Sequence, residues 1–193
     1  MKLLTPALAS IAFASLTLVQ ALSVHAAPPD NKPKASAAST FREAKWEELV
    51  PKGWDPTKNF KNMGQYGLMS DADPKVMQMM RELRETWDNA PTVSEMDGAS
   101  IKLPGYVVPL EELNGALKEF LLVPYFGACI HTPPPPANQI VHVKVSKPVK
   151  FRSMDTVWVS GVLKTQRQDS YMGTSGYQVE GAFVEAYVPP KRP

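Results

Sequence analysis

Beyond residue 100 apolar side chains recur at every second position, and this period of two constrains the fold more than any other feature of the chain. Five segments carry it: 101–108 (IKLPGYVV), 120–126 (FLLVPYF), 140–146 (IVHVKVS), 157–164 (VWVSGVLK) and 177–188 (YQVEGAFVEAYV). In the third, Val141, Val143 and Val145 share a face and leave Ile140, His142 and Lys144 on the other. In the fourth, both faces are partly apolar. In the fifth, the phase moves from Tyr177 and Val179 to Ala182, Val184, Ala186 and Val188, with Gly181 at the change, which predicts a bulge. Five short strands with internal glycines predict a mainly β fold: a small five-stranded OB-like barrel over 100–188, with a β-sandwich as the alternative. The stretch KPVKFRSMD leaves no room for the helix that such barrels often carry between their third and fourth strands. A short helix is expected at 111–118, and Gly173 and Gly176 in YMGTSGY are expected to form a flexible turn.

Ahead of the barrel the pattern is different. Lys2, the nearly uncharged run from Leu3 to Leu22, and the small residues Val24 and Ala26 read as a secretory signal peptide over 1–26, cleaved after Ala26. An uncleaved anchor is the rival reading. Residues 27–40, rich in Pro, Ala, Ser and Lys, form a flexible linker, and 189–193 a tail. Residues 41–99 are expected to form an N-terminal helical region packing on the core. There Trp46, Leu49 and Trp54 are apolar anchors, and Asp73 as N-cap with Pro74 after it opens a helix. Val76, Met80, Leu83 and Trp87 make one apolar stripe, and Pro91 ends it. Met77, Met79 and Met80 are expected to pack on the domain rather than to ligate a soft metal.

Charge excludes some partners. A net charge of +2 gives no electrostatic footprint for nucleic acid, and no strong membrane binding is expected after leader cleavage. Export implies the periplasm, where thiols meet oxidising chemistry. Yet the chain has one cysteine, Cys129, which cannot close an internal disulfide. It must be buried, metal-bound, or paired outside the chain.

Cys129 stands in VPYFGACIHTPPPPANQIV, separated by one residue from His131 and followed by Pro133 to Pro136. On an extended chain Cys129 and His131 project to one side, where thiolate and imidazole can converge on zinc or copper. Three or four ligands are needed, and His142 and Glu111 are the candidates to complete the set. The bland alternative is a buried thiol beside a hydrogen-bonded histidine. Asn138 and Gln139 offer amides that can tie nearby backbone. A second reading makes the corner at Pro133 and Pro134, with Tyr125, Phe126 and Tyr171, a rigid docking surface for a protein partner. A third makes Cys129 a nucleophile, but no orienting group or oxyanion hole is identifiable, so no reaction is assigned.

WEELVP (46–51), LPGYVVPLE (103–111), EFLLVPYFGACIHTPPPPANQIV (119–141) and VWVSGVL (157–163) resemble a bacterial family of exported proteins and lipoproteins built on a domain of unknown function. The resemblance spans roughly Trp46 to Tyr187. It implies Cys129, His131, Asn138 and Gln139 as functional residues. Members are often encoded beside ABC-type permeases and exported metal-associated proteins, which implies an accessory role to an ABC-type transporter in handling a transition metal. This chain lacks the lipid-attachment cysteine of the lipoprotein members.

Overall fold

The computed structural model describes residues 41–58, 70, 72–127 and 134–188. The expected leader, linker and tail, and with them Cys129, His131 and Pro133, lie outside the described residues. In chain order the elements are β1 (Arg42–Glu43), α1 (Pro74–Asp88), β2 (Ser100–Leu113), β3 (Ala116–Val123), β4 (Val141–Val149), β5 (Thr156–Ser170) and β6 (Gly173–Ala186), with short 3₁₀ turns at Trp46–Leu49, Ser94–Met96 and Ala137–Gln139.

The five long strands close on themselves in the order β2-β3-β4-β6-β5, and β5 returns to β2. The β4–β6 pair is parallel and the others in the barrel are antiparallel, so the described residues form a closed mixed five-stranded barrel with one extra strand and one helix among them. The OB-like expectation holds and the sandwich alternative falls. Closure depends on β2 serving two neighbours. Its first half, Ser100–Tyr106, pairs with β5, and its second half, Tyr106–Leu113, pairs with β3. Gly105 sits at the changeover, where a Cβ would lie 2.7 Å from Leu122 Cγ and 2.8 Å from the carbonyl oxygen of Val123. β1 runs parallel to β2 at Ile101 and Lys102, which β3 does not reach.

Inward residues alternate as the period predicts. Ile101, Leu103, Val107, Phe120, Leu122, Val141, Val143, Val157, Val159, Leu163, Tyr177 and Val179 fill the barrel. Burying each large apolar side chain contributes about 1.5–3 kcal/mol. Gly181, at φ +65°, marks the register shift by which β6 changes phase against β4, as the sequence implied. No helix stands between β4 and β5.

Two expectations are corrected. Residues 111–118 form a hairpin, not a helix: Asn114 (φ +53°) and Gly115 (φ +74°) both adopt left-handed backbone, the two-residue connection whose twist matches antiparallel strands. The glycines of YMGTSGY lie in β6, which begins at Gly173, and the turn is made by Tyr171 and Met172 instead.

The N-terminal region is fastened by polar contacts as well as packing. The buried Tyr177 hydroxyl donates to Leu49 O (2.8 Å) and accepts from Val93 N (2.7 Å). Trp46 Nε1 donates to Pro104 O at 2.7 Å, and Ala44 N to Lys102 O at 3.0 Å. Helix α1 begins as expected, with Asp73 accepting from Lys75 N. Val76 and Leu83 are buried, but Met77 and Met80 stand exposed, because the apolar face of α1 is narrower than its methionine content implied.

Candidate functional site

His142 comes from β4, on the outer face of the barrel, opposite the inward Val141 and Val143. Outward residues of a barrel usually meet water, yet the His142 side chain is only 4% exposed. Its Nε2 lies 3.1 Å from Glu119 Oε2. Glu119 reaches this face through an irregularity in β3. Leu117 and Phe120 both point into the core three positions apart, and the β3–β4 register shifts between Leu117 and Glu119, so the pair between them turns outward.

An ionised carboxylate only accepts, so Glu119 fixes the proton of His142 on Nε2. Burial lowers the pKa of His142 from its ordinary value of 6.5, more than the charge of Glu119 raises it, so the ring is neutral at physiological pH. Its Nδ1 is therefore a lone pair, buried and without a hydrogen-bond partner among the described residues.

The neighbour on β6 repeats this arrangement. Gln178 is the register partner of His142 across the parallel pair and is equally buried. Its Nε2 donates to Glu180 Oε1 at 3.2 Å, which assigns the amide orientation, and its Oε1 has no partner among the described residues. Glu180 is held in turn by Lys164 Nζ at 2.9 Å, which lowers the carboxyl's pKa. Two glutamates thus take the N–H groups of two buried side chains and leave two acceptor atoms bare on adjacent strands.

The surroundings close this face. The tip of the β5–β6 hairpin reaches across to β2, where the Tyr171 hydroxyl donates to Pro109 O (3.2 Å) and Leu110 O (3.4 Å). Met172 and Met154 pack with Val108, Leu121, Val123 and Ile140 in a second apolar cluster outside the barrel. Met154, at φ +67°, accepts from Gly127 N through its sulfur at 3.4 Å. Pro134 and Ile140 crowd Gly173, where a Cβ would come within 3.1 Å of Pro134 Cβ.

The other expected residues are placed as follows. Glu111 is the register partner of Glu119, is exposed, and pairs with Lys118 Nζ at 3.2 Å. Asn138 is fully buried and donates to Pro91 O (2.9 Å), and Gln139 donates to Trp46 O (3.0 Å), so both amides staple the N-terminal region to the barrel. Glu119, Gln178 and Glu180 were not singled out from sequence. Gln178 carried one signal, its outward phase between inward Tyr177 and Val179. The described residues contain no group of three or more His, Cys, Asp or Glu arranged to hold a metal ion.

In barrels of this topology the outer face of the second and third strands, here β3 and β4, is where ligands commonly sit. Lys118 pairs with Glu111 and Lys164 with Glu180, and Glu119 stands opposite Lys144 in the β3–β4 register. The fold and this polar pair define a mixed five-stranded barrel with a buried acceptor site on its outer wall. Over residues 46–186 the chain matches the family described as protein of unknown function (DUF3299), and it belongs to that family. It is similar to a DUF3299 family protein from Pseudomonas aeruginosa PAO1, solved by crystallography at 2.45 Å resolution. The two are 38% identical with a TM-score of 0.62, over 78% of this chain and 98% of that one. No curated protein matches the chain.

Proposed function

We propose that this chain is an exported, periplasmic accessory protein that binds a transition metal, zinc or copper, through His142, Cys129 and His131, and assists an ABC-type envelope transporter. The observation that carries the reading is the His142–Glu119 pair. Histidines that ligate metals characteristically donate their second ring N–H to a carboxylate, and Glu119 takes that role while Nδ1 stays bare. The described residues that flank Cys129 and His131 in the sequence support it. Cys129 is two residues from Gly127, which hydrogen-bonds Met154, and His131 is three from Pro134, which packs on Gly173. Both anchors belong to the outer face that carries His142. Export rests on the leader over 1–26, and among the described residues no helix is long and apolar enough to cross a membrane.

Metal content of the mature protein isolated from the envelope tests the reading. Wild type is expected to carry about one equivalent, with Cys129→Ser and His142→Ala reduced at least about tenfold at unchanged fold. Equal, near-zero metal in all three overturns it. A second reading, a metal-free docking adaptor, is favoured by the exposed aromatics. Phe126 (71% exposed) stacks edge-on to Tyr106 at 5.8 Å, and Tyr171 is 76% exposed. In that case Phe126→Ser abolishes co-purification with the transporter while metal content stays at zero in every variant.

A further inference from the structure

We infer that Asn114 is a modification site, at which the side-chain amide is lost as ammonia through attack by the Gly115 nitrogen, and that the left-handed turn holding it is the gate. Asparagine loses its amide fastest ahead of glycine, because any larger residue crowds the nitrogen that must reach the amide carbon. Asn114 is the one asparagine of the chain that precedes a glycine, and both residues are exposed at the tip of the β2–β3 hairpin. A Cβ at Gly115 would meet nothing within 4 Å, so the nitrogen stands in open surroundings. Neither the Asn114 side chain nor the Gly115 nitrogen is held by a hydrogen bond among the described residues. The Asp97–Gly98 step, which can close the same ring, is tied at both reacting groups. Gly98 N donates to Leu163 O at 2.8 Å, and Thr165 donates to Asp97 Oδ1 from its backbone N at 2.8 Å and its hydroxyl at 3.1 Å. Asn89 and Asn138 donate their amides to Glu85 O (2.8 Å) and Pro91 O (2.9 Å), and each precedes a residue with a side chain.

In the reaction a bond forms between Gly115 N and Asn114 Cγ, the Cγ–Nδ2 bond breaks, and ammonia leaves with the proton shed by Gly115. Water then opens the cyclic imide at either carbonyl, giving aspartate or, where the backbone carbonyl is cut from the nitrogen, isoaspartate. The turn controls the first step. Left-handed backbone, with ψ of about +47°, sets the Asn114 Cβ nearly opposite the next nitrogen across the Cα–C bond, so ring closure waits for the turn to open. The rate in the folded chain is then the open-chain rate multiplied by the fraction of time the turn is open. The product feeds back on the fold. Isoaspartate runs the backbone through one extra atom, which a two-residue connection matched to the strand twist does not accommodate, and the new carboxylate stands near Glu111 and Glu112. The pairs Leu113–Ala116 and Glu112–Leu117 are the ones that part.

The experiment incubates the folded chain at neutral pH and follows the tryptic peptide 103–118 by mass, for the gain of about 1 Da when an acid replaces an amide. A synthetic peptide of residues 111–118 and the chain unfolded in urea run alongside. Asn114 in the folded chain is expected to convert about tenfold to a thousandfold more slowly than in the peptide, and urea to restore the peptide rate within about threefold. Asn89, Asn138 and Asp97 are expected to stay unchanged over the same time. A folded rate within about twofold of the peptide overturns the gate, and no conversion after about thirty peptide half-lives overturns the site. Conversion of Asn89 or Asn138 as fast as Asn114 overturns it as well. Gly115→Ala, compared in urea so that its folding does not enter, is expected to convert at least about tenfold more slowly than wild type, and an equal rate overturns attack by that nitrogen. In the isoaspartate form the amides of Ala116 and Leu117 are expected to lose protection from hydrogen exchange, and unchanged exchange there overturns the loosening of the hairpin.

Discussion

Changing Tyr177 to Phe removes one oxygen atom and two hydrogen bonds that fasten the N-terminal region to the barrel. The ring stays in the core, so packing is conserved and the loss is polar. Leu49 O loses its donor at 2.8 Å, and because Leu49 is fully buried its carbonyl has no route to water. That costs about 1–3 kcal/mol. Val93 N loses its acceptor at 2.7 Å, but Val93 is only partly buried, and rehydration limits this loss to about 0.5–1.5 kcal/mol. Together the substitution is expected to cost about 1.5–4.5 kcal/mol, read as a fall of roughly 1–2 M in the urea midpoint at unchanged slope. The pH dependence supplies a second check. Burial raises the pKa of Tyr177 above its ordinary 10.0, against the smaller opposing effect of the Val93 hydrogen bond. The folded state thus keeps a proton that the unfolded state releases near pH 10. Stability from this group is complete below that pH and is lost as pH climbs through the folded value. The phenylalanine variant is expected to lose less stability between about pH 10 and 11 than wild type. A midpoint shift below about 0.3 M would refute the claim that this hydroxyl fastens the two parts.

Gly105→Ala is expected to cost about 1–3 kcal/mol, seen as a lower melting temperature, because the added methyl meets Val123 O at 2.8 Å and backbone cannot yield as a side chain can. An unchanged melting temperature would show that β2 bends freely there. Asp97 accepts from Thr165 N (2.8 Å) and from its hydroxyl (3.1 Å), the first of which chiefly lowers its pKa below 3.8. Its contribution is present above pH 3.8 and is lost as pH falls through the folded value. Acid unfolding of Asp97→Asn followed by circular dichroism should therefore show a shallower decline than wild type below about pH 4, and parallel curves would contradict this.

Strand identity, the inward faces and the Gly181 bulge were legible because alternation reports directly on burial and because glycine at a phase change has few other uses. The hairpin at Asn114 is not legible from period alone, because LEELNGALKEF spaces its leucines and alanine compatibly with both helix and strand. Only the Asn–Gly backbone, left-handed at both residues, decides between them. His142 was legible as a candidate, but its partners were not. Glu119 faces outward through an irregularity that alternation does not encode, and Gln178 joins His142 through a parallel pairing between segments 36 positions apart, which nothing local announces. Asn138 and Gln139 are legible as candidates for their amides, and both amides donate to backbone of the N-terminal region.

The parallel partnership of β4 with β6 also sets an order of events. Made from its N-terminus, the chain completes β4 while the strand that must lie beside it has yet to be synthesised, and the intervening β5 cannot substitute. Until the last strand arrives, one flank of β4 has unsatisfied amides and carbonyls, and the tube stays an open ribbon. Ending the chain before Tyr177 therefore removes the seam that closes the barrel rather than trimming its rim.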